Sequence, residues 1–324
     1  MELGLTLPNR GVVFGVTTVP EMLEMCEIAE ASGAFGSIWV GDSIMAKPRV
    51  EAITLLAAVA ARTKQMKLGP ACLGSFPSRH PVLLAYQWAS LDVISGGRTI
   101  LVACMGGGSR GDFAREFRVM GIDPTRRAAL LEENIQIIRR LWAEEEVSFQ
   151  GEFFQFEGAR VEPKPVQNPL PIWIANNVQV ITSSGAVMER ALRRVARLAD
   201  GWMTTHVWPE DFAERWERIR KYAVEEGRDP GALQSSVYFN MHLSADREQA
   251  FQESKRFLDI YYTTDFSREA LERSVAMGSP EECVKRVLDF RKVGVGTLTI
   301  RFPAWDQKRQ LRMFLKEVAP ALKG

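Results

Sequence analysis

Residues 37–49 read SIWVGDSIMAKPR, and this stretch contains the unit from which the fold is built. Four residues suited to a buried strand run directly into Gly-Asp-Ser, and a helical pattern begins at residue 51. Such short apolar runs are typical of buried strands when turn residues bound them. The strand ends on Asp42, so we expect this end to face a pocket. The alternative is that Asp42 only caps the turn after Gly41.

The same unit recurs along the chain. The expected strands are residues 3–7, 37–40, 67–73, 99–105, 172–175, 201–205, 236–243 and 297–302. Helical patterns cover residues 20–32, 51–63, 81–94, 124–143, 186–199, 209–226, 246–277 in two pieces, 280–293 and 307–322. Strands that alternate with helices become parallel neighbours through right-handed crossovers. The pattern therefore predicts an α/β fold, a (β/α)8 TIM barrel, with residues 1–324 as one domain.

One segment interrupts this repeat after the fourth strand and its helix. Residues 147–170 read VSFQGEFFQFEGARVEPKPVQNPL, with strand-like pieces around Gly151 and then a proline-rich arm. The segment is too short for a core of its own. We expect it to be an insertion on the barrel.

Composition excludes several classes of partner. The chain has 41 basic and 40 acidic side chains, so its net charge of +1 creates no field that favours nucleic acid or an anionic membrane. The sequence has neither a secretion signal at its start nor an apolar run long enough to span a bilayer. We expect a cytoplasmic protein that acts on a small-molecule substrate.

The four cysteines also favour a cytoplasmic location. They are far apart and form no Cys-x-x-Cys pair, which argues against a zinc site and fits reduced thiols that serve as packing residues. They are Cys26, Cys72, Cys104 and Cys283.

Candidate site residues follow the strands, because barrel active sites lie at the carboxyl ends of the strands. They include Asp42 and Ser43, the segment 72–75, the glycine-rich segment 105–108, Asn176, His206 and Arg301. Residues 106–111 also match Gly-x-Gly-x-x-Gly, the nucleotide-binding pattern of Rossmann folds. That pattern normally follows the first strand of its fold, whereas three complete units precede it here. We favour a backbone that approaches a flat ring closely.

The three histidines have no spacing typical of a metal site. His206 ends the sixth strand and is therefore expected at the rim of the pocket. His80 precedes a helix, where it either braces the loop or takes part in catalysis. His242 lies inside the seventh strand, where a hydrogen-bonded interior side chain is favoured over a catalytic one.

Taken together, these segments resemble the bacterial luciferase-like family of flavin-dependent and coenzyme F420-dependent oxidoreductases. The resemblance covers nearly the whole chain. It rests on SIWVGDS at 37–43, LDVISGGRTILVACMGGG at 91–108, the long stretch from residue 116 to residue 175, ALRRVARLADGWM at 191–203 and GSPEECVKRVLDFRKVGVGTLTIRF at 278–302. It implies the barrel fold, the insertion after the fourth strand and a homodimer.

The resemblance also implies where the cofactor, FMN or F420, would bind. Asp42 would face the ring, the peptide from Ala71 to Cys72 would be cis and back the ring, and the phosphate would lie near the fifth strand and the following helix. The implied cofactor-binding residues are Asp42, Ser43, Ala71, Cys72, Met105, Gly106, Gly107, Ala175, Asn176, Ser183, Ser184 and Gly185.

Two departures from the family pattern concern proton transfer. Many relatives have Asp-His after the second strand, where this chain has Asp42 and Ser43. Some F420-dependent relatives have a glutamate where this chain has Gly107. The catalytic candidates are therefore Asp42, His206 and His80, and we predict that His206 handles the proton.

Three functions stay open from the sequence. The family label slightly favours an FMN-dependent monooxygenase supplied with reduced cofactor by a separate reductase. The second is an F420-dependent reductase or dehydrogenase that transfers a hydride. The third, from another class, is a flavin-binding protein without turnover.

Overall fold

The computed structural model describes residues 1–108, 111–177 and 184–322. The strands are β1 (Glu2–Leu7), β2 (Ser37–Val40), β3 (Lys67–Pro70), β4 (Leu101–Ala103), β5 (Val147–Gln150), β6 (Gln155–Ala159), β7 (Ile172–Ala175), β8 (Gly201–Thr205), β9 (Gln234–Leu243), β10 (Val275–Gly278) and β11 (Thr297–Arg301). The helices are α1 (Val19–Ser32), α2 (Ala52–Arg62), α3 (Pro81–Ser95), α4 (Gly111–Val119), α5 (Arg127–Ala143), α6 (Gly185–Leu198), α7 (Pro209–Glu225), α8 (Arg247–Tyr262), α9 (Arg268–Ser274), α10 (Pro280–Lys292), α11 (Gln307–Met313) and α12 (Ala319–Leu322).

Eight parallel strands form the predicted (β/α)8 barrel. Their order is β3-β2-β1-β11-β9-β8-β7-β4, and the sheet closes between β3 and β4 through two bridges, Leu68 with Thr99 and Leu73 with Ala103. Each of the eight predicted runs contains or overlaps one of these strands. The fold prediction is confirmed.

Two tryptophans fill the interior of the barrel. Trp39 of β2 and Trp173 of β7 lie with ring centroids 5.8 Å apart, and both are buried. Gly4 and Gly201 stand beside them, where any side chain would collide with the indole rings. The indoles pack beneath Ala71, Cys72 and Ala175 at the carboxyl ends of the strands, so the barrel interior below these residues is filled.

Side-chain caps fix where several helices begin. Thr18 accepts a hydrogen bond from the Glu21 backbone N–H, and the Glu21 carboxylate accepts one from Thr18. Ser279 and Glu282 form the same reciprocal cap on α10. Such boxes satisfy backbone donors that a helix start leaves free, so sequence alone locates these starts well.

The segment 147–170 forms an antiparallel hairpin, β5 and β6, followed by an arm with two cis prolines. The Glu133 carboxylate on α5 accepts hydrogen bonds from the backbone N–H groups of Glu152, Phe153 and Phe154 at 2.8–2.9 Å. The hairpin is thereby tied to the barrel at its turn.

Two elements differ from the sequence expectation. Helix α4 was not predicted, and β10 lies within the segment 246–277 that was predicted to be helical. The β10 sequence VAMG is a short apolar run, which periodicity cannot assign to strand or helix, and it pairs in parallel with the end of β9. Within the described ranges, no helix is long and apolar enough to cross a membrane.

Candidate active site

A cavity of about 770 Å³ opens at the carboxyl ends of the barrel strands. Strands β3, β4, β7, β8 and β9 and helices α5, α6 and α8 contribute to its wall or lie at its edge. Eight of the predicted site residues line it, namely Ala71, Cys72, Met105, Gly106, Gly107, Ala175, Asn176 and His206. Because barrel enzymes carry out their chemistry at this end, the cavity is the candidate active site.

The end of β3 and the end of β4 form one side of the cavity. The peptide bond between Ala71 and Cys72 is cis, as the family resemblance implies. Cys72 and Cys104 are paired as a disulfide with Cα atoms 6.2 Å apart. This corrects the expectation of four unpaired thiols, because adjacent strand ends bring together cysteines that are 32 residues apart in sequence.

We expect the disulfide to be detectable by counting thiols. Protein purified without reductant and unfolded in denaturant should show two thiols, Cys26 and Cys283, and reduction should raise the count to four. A thiol-reactive chromophore provides the measurement. In Cys72→Ser, Cys104 loses its partner, so the unreduced variant should show one thiol more than the parent. Four thiols in the unreduced parent would contradict the pairing.

The glycines after β4 are explained by packing. A side chain at Gly107 would collide with the Phe113 ring, and one at Gly106 would collide with Phe117 and with the Gly74 carbonyl oxygen. Gly106 also has a positive φ of 73°. The chain's own phenylalanines therefore explain why these positions are glycine, while the backbone still lines the cavity. Close approach of a cofactor ring to this backbone stays a prediction.

Helices α5 and α6 bring three arginines to the cavity, Arg127, Arg190 and Arg194. Arg127 donates to the Gly107 carbonyl oxygen, and burial lowers its pKa. Arg194 is paired with Glu132 at 2.7 Å. Arg127 and Arg190 have no ion pair among the described residues, and no carboxylate lines the cavity there. This side of the cavity suits an anionic ligand.

The residues predicted to hold the cofactor phosphate are only partly in place. Ala175 and Asn176 line the cavity, and the Asn176 side chain accepts a hydrogen bond from Trp202 at 3.1 Å. Ser184 caps α6 by accepting from the Val187 N–H, and Gly185 starts that helix. Ser183 lies outside the described residues. The face of α6 that lines the cavity begins at Val187, one turn beyond the predicted serines.

His206 occupies the position that the sequence predicts for it. It follows β8 with a positive φ of 53°, lines the cavity and stacks on Phe266 with centroids 5.8 Å apart. Burial, and to a smaller extent Arg273, lower the pKa of His206 to about 4. The imidazole is therefore neutral at pH 7 and can accept a proton.

Asp42 and Ser43 lie behind the cavity wall. The Asp42 side chain is 3% exposed, accepts a hydrogen bond from the Ser75 N–H at 2.7 Å and lies 3.7 Å from Arg79. Burial raises its pKa against the opposing influence of Arg79. The Ser43 hydroxyl donates to the buried Glu116 carboxylate. The loop after β2 turns both side chains toward neighbouring loops, so a correction follows: neither lines the expected ring position.

The other two histidines have structural surroundings. His80 accepts a hydrogen bond from the Val82 N–H at the start of α3 and packs edge-on against Phe154, away from the cavity. This is the bracing role considered from the sequence. The His242 ring is buried beside Ser254 and the Pro303 carbonyl oxygen, at 3.1 and 3.2 Å.

Sequence reasoning missed the tyrosines of the cavity. Tyr238 of β9 and Tyr262 at the end of α8 line it, and their hydroxyl groups are 3.1 Å apart. The buried Arg301, which the sequence did place at a strand end, donates to the Tyr262 hydroxyl at 2.9 Å. Tyr262 is the last residue of α8 and belongs to no distinctive sequence motif. Its position at the site therefore follows only from the fold.

A parallel barrel with a cavity at the carboxyl ends of its strands has the architecture of a barrel enzyme. A family model described as luciferase-like monooxygenase matches residues 1–297. The chain therefore belongs to this family and is an oxidoreductase, and the relatives it resembles are named as F420-dependent enzymes and as a monooxygenase.

Individual relatives cover the chain almost completely. The 5,10-methylenetetrahydromethanopterin reductase of Archaeoglobus fulgidus is 26% identical over 96% of this chain and 99% of its own. An F420-dependent glucose-6-phosphate dehydrogenase of Amycolatopsis mediterranei is 25% identical over 94% and 95%. The solved structure of the monooxygenase RslO1 from Streptomyces bottropensis superposes with a TM-score of 0.79, at 25% identity over 99% and 100%.

Proposed function

We propose that this chain binds coenzyme F420 in the cavity and catalyses hydride transfer to or from a small organic substrate. The observation that carries the proposal is the charge of the cavity, which has three arginines on α5 and α6 and no carboxylate among the described residues that line it. F420 has a phosphodiester and several carboxylates along its side chain, whereas FMN ends in one phosphate. More than one guanidinium group is therefore better matched by F420.

The described residues fit such a cofactor in two further ways. Ala71 and Cys72 present backbone and small side chains where a flat ring would lie, and they pack against the cluster of Trp39 and Trp173. Arg127 and Arg190 would hold the anionic side chain along α5 and α6. When bound, F420 supplies the hydride acceptor or donor, and the protein supplies position and electrostatics.

The chain's own residues handle the proton. His206 lines the cavity and is neutral at pH 7, so it accepts a proton or hydrogen-bonds a substrate hydroxyl group. A base held at the reacting atom contributes about 10²–10⁴-fold to a rate. Oxidation of an alcohol releases a proton as the hydride leaves, and the unprotonated imidazole is the form that can accept it.

FMN-dependent monooxygenation, which the family label slightly favoured, is the second candidate. The similarity to the monooxygenase RslO1 at 25% identity supports it. The charge of the cavity and the name of the Amycolatopsis relative favour F420. A homodimer, a separate reductase and a cytoplasmic location stay predictions.

Titration of the purified chain with F420 and with FMN, each oxidised and reduced, tests the proposal. We expect F420 to bind more tightly, with tryptophan fluorescence as the readout. Arg190→Ala should weaken F420 binding about tenfold, because a charged hydrogen bond contributes about 1.5–3 kcal/mol and 1.4 kcal/mol is tenfold.

The matched control is Arg220→Ala, since Arg220 lies on the exposed face of α7 and outside the cavity. This variant should bind F420 like the parent. Tighter binding of FMN than of F420 would favour the monooxygenase, and binding of neither cofactor would contradict both candidates.

A further inference from the structure

A second group of arginines lies at the mouth of the barrel, opposite Arg127 and Arg190. Arg10 follows β1, Arg49 follows β2, and Arg301 ends β11. In the closed sheet, β1 and β11 are neighbours and lie across the barrel from β4 and β7. We call Arg10, Arg49 and Arg301 the mouth cluster.

Two members of the mouth cluster are deeply buried and Arg49 is half-buried, and none of the three has a carboxylate within ion-pair distance among the described residues. Arg301 is 1% exposed and Arg10 is 7% exposed. Nε and Nη1 of Arg10 and Nε of Arg301 are buried and have no hydrogen-bond partner in the part of the chain that the structure describes. Within the described ranges, no ion pair includes any of the three arginines.

Two tyrosines, Tyr261 and Tyr262, connect the cluster to the cavity. The Arg301 guanidinium lies 4.1 Å from the Tyr261 ring centroid and donates to the Tyr262 hydroxyl. The Arg49 guanidinium lies 5.7 Å from the Tyr261 ring. Because Tyr262 also lines the cavity, Arg301 lies directly behind this part of the cavity wall, and Tyr261 connects it to Arg49.

Nearby acids are engaged elsewhere. Asp42 accepts from the Ser75 N–H, faces Arg79 and interacts more weakly with the charge of Arg49. Asp112 acts electrostatically on Lys47. Burial, and then the charge of Arg49, lower the pKa of Arg10. An unpaired buried cation is costly, and aromatic rings offset only part of that cost. The cluster is therefore complementary to an anion.

We propose that the mouth cluster binds an oxyanion of the substrate, a carboxylate or a phosphate group, through Arg10 and Arg49 with Tyr262 at its edge. This inference rests on the proposed function, since it assigns the α5 and α6 arginines to the cofactor and the opposite arginines to the substrate. The reacting carbon of the substrate would then lie between the two cationic regions. The substrate class is a small organic acid or a phosphorylated compound.

The test uses the full chain in buffer free of oxyanions, with inorganic phosphate and acetate as separate probes. We expect either probe to raise the melting temperature, because a ligand that binds only the folded state stabilises it. A larger effect of phosphate indicates a phosphorylated substrate, and a larger effect of acetate indicates a carboxylate.

Arg10→Met keeps the aliphatic stem and removes the charge. It should weaken binding of the effective probe about tenfold while it preserves or raises the melting temperature without anions, because it removes an unpaired buried charge. Arg49→Gln, at a half-buried position, provides a second variant should Arg10→Met fold poorly. Arg220→Met, on the exposed face of α7 and outside the cavity, is the matched control and should leave probe binding unchanged, whereas Arg190→Met reports binding of the probe on the cofactor side.

Equal probe affinity in the parent and in both mouth-cluster variants would overturn the inference. So would loss of probe binding in Arg190→Met alone, since the anion would then lie on the cofactor side. F420 binding is measured on the same samples. Intact F420 binding without a probe effect contradicts only the substrate inference, whereas a probe effect without F420 or FMN binding contradicts only the proposed cofactor.

Discussion

Glu116→Ala is expected to lower the free energy of unfolding by about 3–5 kcal/mol. Glu116 on α4 is 2% exposed, and its Oε2 atom accepts hydrogen bonds from the Met45 and Ala46 N–H groups at 2.6 Å and from the Ser43 hydroxyl at 3.1 Å. A hydrogen bond to a charged group contributes about 1.5–3 kcal/mol, and donors left buried without a partner add to the loss. Denaturant unfolding followed by circular dichroism measures the change.

Glu116→Gln is the matched variant, because its amide oxygen can take the position of Oε2. We expect Glu116→Gln to lower the free energy of unfolding by less than half as much as Glu116→Ala does, since the acceptor remains and only its charge is removed. The loop that Glu116 holds leads to Arg49, so Glu116→Ala should also abolish the effect of an oxyanion on stability. Equal losses in the two variants would show that the carboxylate charge, and not the acceptor position, holds the loop.

The barrel is predictable because its pattern is local. The run 37–40 coincides with β2 and the run 172–175 with β7, since each apolar segment is bounded by turn residues. Helix α4 escaped prediction because it begins next to a glycine-rich polar stretch and has charged residues over most of its length. Its burial of Phe117 and Glu116 depends on the neighbouring loops.

Site residues can be predicted from the sequence where the course of the backbone alone places them at the cavity. The carboxyl ends of the strands meet at the cavity, and this places a residue there regardless of its side-chain conformation. The residues placed in this way are Ala71, Met105, Asn176 and His206. Asp42 also follows a strand, yet the loop beyond it turns the carboxylate onto the Ser75 N–H. The direction of a side chain in a loop depends on tertiary contacts, which one sequence does not specify.

Residues from helices and from distant strands are the hardest to predict. Arg127 and Arg190 reach the cavity only because α5 and α6 pack with particular faces toward it. Cys72 and Cys104 pair because β3 and β4 close the barrel, a contact that sequence spacing does not reveal. Arg10 and Arg301 come together from opposite ends of the chain, through the pairing of β1 with β11.

The lowered pKa of His206 predicts that the free energy of unfolding decreases as the pH falls. Its pKa is about 4 in the folded chain and about 6.5 when unfolded, so between these values only the unfolded chain binds the proton. Stability is then full above pH 6.5 and is lost as the pH falls toward 4, by up to about 3 kcal/mol. Burial also lowers the pKa of His242, which adds to the loss, whereas the raised pKa of Asp42 opposes it.

His206→Gln should remove this contribution and flatten the dependence of unfolding free energy on pH between 7 and 4. The measurement is denaturant unfolding of parent and variant across that range, with His242→Gln as a comparison at a site away from the cavity. Parallel curves for parent and His206→Gln would mean that the imidazole is solvated in the folded chain. Converging curves would establish a neutral histidine in the cavity at pH 7, which is the protonation state that a proton acceptor in alcohol oxidation requires.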